Sequence, residues 1–253
     1  MLIDDPWFYV LAIPALILTG IAKGGFPAGG GNLGVPMMSQ SIPAAMAAGI
    51  TLPILITMDV IGVWAYRRDW DRRQMRMLLP GAMIGIVLGT LSFRLLSDAA
   101  VKIIVGAIAV GFVAWTLIRP RLVSAAAAGP SLKRGTFWSA LSGFTSTVAH
   151  AGGPPLAVYL LPQRLDRRVL TATTVVYFFV VNLVKVPPYL WNGQFSGPVA
   201  LTALALLPCA PVGMLIGIRL NGVLSDKVFY RVIYTVLTLS GLKLLWDGIT
   251  GIG

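Results

Sequence analysis

Few side chains in this sequence can do chemistry, and they collect beside glycine-rich breaks or in the middle of long apolar runs. Asp59, in ITMDVIG, and Asn182, in VVNLVK, stand mid-run. A carboxylate is costly there unless it has a partner, so Asp59 is a candidate coupling site for a proton or cation, against the plainer role of structural hydrogen-bond partner. Lys23 precedes the first break and Lys185 follows Asn182. Either ammonium can pair with Asp59 or with an oxyanion oxygen. Snorkelling to the interface competes, more for Lys185 than for Lys23. His150, the single histidine, directly precedes Ala151-Gly152-Gly153-Pro154-Pro155. It can bind an anion or change protonation near neutral pH, although a satisfied interior histidine is the common case. Thr145, Ser146 and Thr147 add hydroxyls that in membrane helices often bond back to their own backbone.

The breaks themselves suit anions. Consecutive glycines let N–H groups converge, and a short helix starting after them aims its positive end at the same point. Asn32-Leu33 and Pro155-Leu156 are expected to begin such helices. Close helix packing is the rival explanation for any one glycine. The candidate substrate-binding residues are therefore Lys23, Gly29, Gly30, Gly31, Asn32, Ser146, Thr147, His150, Gly152, Gly153, Pro154, Asn182 and Lys185, with Asp59 for coupling. One histidine, one cysteine and no glutamate leave no metal-ligand cluster and little catalytic equipment, so no metal, no cofactor and no enzyme are expected.

The elements that must position these residues follow from composition. Hydrophobic residues make up 57% of the chain and charged ones 11%, with a mean hydropathy of +0.82, more apolar surface than one soluble core can bury. The apolar residues fall into stretches about 20 long, the length that crosses a bilayer. The 20 Lys and Arg against nine acidic residues, all Asp, sit mostly in short loops, as in an inserted protein and not a nucleic-acid binder. Cys209 lies in an apolar segment and reads as packing. The first run, opening MLIDDPWFYV, has no basic start, so it is expected to stay in the mature protein.

The chain is duplicated. LLPGAMIGIVLG at 78–89 and LLPCAPVGMLIG at 206–217 agree at six of twelve positions, and TGIAKGGFPAGGGNLGV at 19–35 aligns with SGFTSTVAHAGGPPLAV at 142–158. Arg67, Arg68, Arg72, Arg73 and Arg76 fill one loop, Arg164, Arg167 and Arg168 another, and Lys133 and Arg134 flank a third, all expected inside; 39–44 and 192–197 carry no charge and are expected outside. Corresponding loops thus have opposite character, so the halves are expected to be inverted. Each half needs an odd number of crossings, so each glycine-rich segment is read as a re-entrant hairpin, broken at 24–32 and at 151–155. Full spans are expected at about 41–66, 76–93, 99–118, 168–191, 196–218 and 228–247, with both termini outside. A parallel eight-span arrangement is the alternative. The expected fold is an all-α polytopic membrane protein of two inverted repeats, 1–122 and 135–253, joined by a cytoplasmic linker at 123–134, each repeat a glycine-broken hairpin plus three transmembrane helices.

Ala28-Gly29-Gly30-Gly31-Asn32-Leu33 and Ala151-Gly152-Gly153-Pro154-Pro155-Leu156, each followed by a Pro-Gly-rich span, at Pro80 to Gly89 and Pro208 to Gly217, resemble the TauE/SafE family of sulfite exporters and toluenesulfonate uptake permeases. The resemblance covers nearly the whole chain. It implies a prokaryotic inner-membrane secondary transporter of sulfite, an organosulfonate or a related sulfur or carboxylate anion, coupled to a proton or other ion gradient. An anion channel is the nearest alternative function. The partners implied are the small anion, its coupling ion and the lipid bilayer, with no nucleic acid; a homodimer is compatible with them.

Overall fold

The structure is a computed structural model that describes residues 3–25, 32–122, 129–220 and 226–251. Among the described residues there are helices and no strands. In chain order they are α1 (Pro6–Gly25), α2 (Gly34–Met38), α3 (Ala44–Tyr66), α4 (Arg72–Leu95), α5 (Asp98–Leu122), α6 (Leu132–Ala149), α7 (Gly153–Leu160), α8 (Arg167–Trp191), α9 (Gly197–Leu206), α10 (Cys209–Leu220) and α11 (Asp226–Thr250). Among the described residues, six helical stretches are long and apolar enough to cross a membrane: α1, α3, α4, α5, α8 and the α9–α10 stretch Gly197–Leu220. This is an all-α polytopic membrane protein. The six include α1, which the sequence reading makes the descending arm of a hairpin.

Local chemistry sets the boundaries. Asp71 caps α4 by accepting from the backbone N–H of Arg73 at 2.7 Å, and Asp166 caps α8 by accepting from that of Arg168 at 2.8 Å. Ser131 caps α6, which therefore begins within the stretch read as linker. The expected span 196–218 is two helices, α9 and α10, with a turn at Leu207 and Pro208. Pro208 and Pro211 each lack an N–H, and the chain tightens there to three-residue bonds, Leu207 to Leu204 and Ala210 to Leu207. Its counterpart α4 contains Pro80 alone and runs through.

Glycine permits the closest packing. α1 lies against α10, where a Cβ on Gly20 would stand 2.8 Å from the Gly213 Cα, and α6 lies against α4, where a Cβ on Gly89 would stand 2.7 Å from the Thr147 Cβ. α3 crosses α8 antiparallel, with Gly62 beside Val175 and Asp59 beside Asn182. α5 and α11 are antiparallel too, with Gly106 beside Gly241 and Gly248 beside Ala99.

The loops sort by charge. At one end of the bundle Arg168 meets Asp69 at 2.9 Å, the Thr173 hydroxyl accepts from the Asp71 N–H, and Gly135 and Met77 both adjoin Tyr159. The basic loops 67–76, 131–134 and 164–168 therefore share that end. At the other, Gly49 abuts Gln194, Ala44 bonds to Asp98, and Asn192 donates to the Thr90 carbonyl.

Candidate functional site

The two broken segments bring polar groups to the middle of the bundle. α1 delivers Thr19 and Lys23, and Asn32 follows on the near side of α2. Thr19 donates to the Ala15 carbonyl at 2.7 Å and accepts from the Leu33 N–H at 3.1 Å, while the Asn32 carbonyl oxygen accepts from the Gly34 N–H at 2.8 Å. Asn32 is thus held by its oxygen. Its amide nitrogen, buried, has no hydrogen-bond partner among the described residues. The N–H groups expected of Gly29, Gly30 and Gly31 lie outside the described residues.

The second break is shorter than expected. α6 ends on His150, which adopts the left-handed conformation at φ 50°, and α7 already begins at Gly153, so Pro154 and Pro155 form its first turn. Neither proline has an N–H, so this helix start presents few backbone donors. α2 likewise begins at Gly34, two residues later than Asn32. Among the described residues, the side chains around the breaks carry most of the polar chemistry.

Asp59 of α3 is fully buried and occupied on both oxygens. Oδ1 lies 2.6 Å from the Lys23 ammonium and Oδ2 accepts from the Asn182 amide at 2.6 Å. Lys185, also fully buried, donates to the Ser146 carbonyl at 3.0 Å and approaches the Ser146 hydroxyl at 3.1 Å and His150 Nδ1 at 2.8 Å. The other ring nitrogen of His150 lies 3.0 Å from the Ala48 carbonyl, which can only accept. Nε2 is therefore the protonated nitrogen, and Nδ1 accepts from Lys185, so the ring is neutral. All three ammonium protons of Lys185 have acceptors, and the side chain ties α8 to the end of α6, where a cation meets the negative helix terminus.

A cavity of about 100 Å³ opens beside this cluster. Its polar wall is Thr19, Lys23, Asn32, Ser146, His150 and Asn182, with Gly153 and Pro154 behind; its apolar wall includes Leu55, Leu160, Leu170 and Phe178. From Asn182 the cavity follows α8 to Leu170 and Thr171, beside the basic loop 164–168. Lys23 keeps part of its side chain accessible (17%), whereas Asp59 and Lys185 are sealed. Thr147 lies away from the cavity, against Gly89, with its hydroxyl bonded back to the Gly143 carbonyl. Gly152 sits behind the wall, against Ser142 and Phe178. Sequence reasoning passed over Thr19 and the apolar wall. The signal for Thr19 was available, since it is the repeat counterpart of Ser142, which donates to the Gly152 carbonyl at 2.7 Å in the second break.

Long apolar helices, interrupted at depth around a buried charged cluster and an internal cavity, define a multi-pass membrane protein with an interior polar site. Residues 12–244 match the sequence model of the family described as Sulfite exporter TauE/SafE, and the chain belongs to that family of membrane transporters. No curated protein and no solved structure matches the chain.

Proposed function

We propose that this protein is a secondary transporter that carries a small anion, sulfite, an organosulfonate or a related sulfur-containing anion, across a prokaryotic inner membrane. The observation that carries the reading is the cavity wall: the partly accessible Lys23 and Asn32, whose buried amide nitrogen has no partner among the described residues, both line the same cavity. These are donors with no intrinsic carboxylate to spare, since Asp59 is the sole acid in a cluster with two lysines. An oxyanion supplies the missing acceptor. Small carboxylates offer the same chemistry and are the nearest competing substrates. In this reading Asp59 is the coupling residue, because it holds the lysine that the anion needs.

The cavity lining extends to Leu170 and Thr171 beside the basic loop, while on the uncharged side His150 meets Ala48 and Gly49 meets Gln194. We read this as access from the basic-loop side alone, which favours a carrier over a channel. Basic loops favour the cytoplasm, which supports an orientation with the opening inside and both termini outside. The antiparallel crossings of α3 with α8 and of α5 with α11, helices at equivalent positions of the duplication, support two inverted repeats, 1–122 and 135–253. The test is flux in proteoliposomes with sulfite, short sulfonates and short carboxylates, with and without a proton gradient. Saturable, gradient-dependent uptake of a sulfur anion in preference to chloride is expected; uniform conductance of every anion tried, insensitive to the gradient, would contradict it.

A further inference from the structure

We propose that Asp59 sets the valence of the anion: ionised, it fits the site to a singly charged anion, and protonated, to a doubly charged one. This deepens the transport reading above and rests on it. The charge inventory makes the case. We take the buried cluster to hold two ammonium groups, Lys23 against Asp59 and Lys185 against three acceptors, and one carboxylate, Asp59, while the His150 ring is neutral because Nε2 faces a carbonyl and Nδ1 faces Lys185. Protonating His150 as well would set two cations 2.8 Å apart. The glycine-rich stretch 26–31 contributes no charged side chain, as its sequence, FPAGGG, shows. One positive charge is left over.

The other elements packed on α3 do not alter the sum near Asp59. Asp98 and Lys102 of α5 lie at the far end, by Ala44, about 20 Å along the helix. α10 meets α3 through Met214 beside Gly62, and α2 meets it through Gly34 beside Thr51. Net charge is expensive inside a membrane protein, so the loaded state is cheapest when the sum is zero. A singly charged anion achieves that with Asp59 ionised and paired to Lys23. A doubly charged anion overshoots by one unless a proton neutralises Asp59, which at the same time frees the Lys23 ammonium for the anion. A doubly charged substrate therefore travels with one proton, and a singly charged one travels without it.

Equilibrium binding of methanesulfonate, singly charged, and thiosulfate, doubly charged, to the purified full chain tests this. The series runs from about pH 8 down to about pH 5, within the range over which buried carboxyl groups titrate; neither probe changes its own charge there. In the wild type, acidification is expected to shift the affinity ratio toward thiosulfate by at least about tenfold. D59N is expected to show the thiosulfate-favouring ratio at every pH, and D59E to restore the pH dependence. A wild-type ratio that stays constant across the series overturns the valence rule even if D59N does not fold, and so does a D59N ratio equal to that of the wild type at high pH. Absence of binding for every sulfur oxyanion and sulfonate would instead remove the anion-carrier reading, and this inference with it.

Discussion

Asn182 donates to Asp59 at 2.6 Å, and the two residues, 123 positions apart, occupy equivalent places in the duplicated halves. In the proposed inverted arrangement, two equivalent residues that touch lie near the axis relating the halves, and the carboxylate would then mark that axis. Lys23, from the first broken segment, and Lys185, tied to the second, approach it from either side. The aligned positions differ in residue type, aspartate opposite asparagine and Lys23 opposite Ser146, so the site is asymmetric.

The Lys23–Asp59 pair predicts a pattern of stabilities. K23M strands a fully buried carboxylate and is expected to cost about 3–5 kcal/mol, read as a drop in thermal midpoint in detergent. The double variant K23M/D59N removes both charges and should recover most of that loss. A double variant no more stable than K23M would show that the pair contributes no such coupling.

His150 makes a backbone prediction. Its left-handed φ of 50° suits asparagine and glycine far better than branched residues, and its ring is bonded to the Ala48 carbonyl. H150N should remain closer to wild-type stability than H150V, with the gap about 1–2 kcal/mol. Equal thermal midpoints for the two variants would argue against the strained break.

Helix contact at glycine gives a third. A Cβ at Gly20 would press on the Gly213 backbone, whereas one at Gly111 meets nothing within 4 Å. G20L is expected to abolish the yield of folded, monodisperse protein, and G111A to leave it unchanged. Size-exclusion profiles after detergent extraction distinguish the two.

Topology is open to labelling. Trp70 lies in the basic loop that also holds Asp69, while Gln194 packs at the opposite end of α3 beside Gly49. With Cys209 replaced by Ala, single cysteines introduced at 70 and at 194 should react with a membrane-impermeant reagent from opposite faces. Reaction from one face would rule out the crossing of α3 and the inverted arrangement with it.

Much of this was legible in the sequence. The all-helical membrane architecture followed from apolar stretches and loop charge, and the equivalence of Asp59 and Asn182 followed from the duplication. Other features depend on geometry that residue spacing does not encode. Whether Lys185 faces a cavity or a carbonyl is decided by the rotation of α8 against α6, and the structure turns it to Ser146 and His150. The split between α9 and α10 falls at Pro208, with Pro211 three residues on, whereas Pro80, the counterpart of Pro208, lies inside the continuous helix α4. Pro154 and Pro155 were read as a break, yet they fit the first turn of α7, where proline's missing N–H and fixed φ are tolerated.

The most direct measurement is equilibrium binding of labelled sulfite to the purified wild type and to K23M/D59N, the variant expected to keep its fold without the ammonium. One saturable site in the wild type, weakened by at least about thirtyfold in the double variant while its helical spectrum is unchanged, is the expected result. Equal binding by the two proteins would place the anion elsewhere in the molecule.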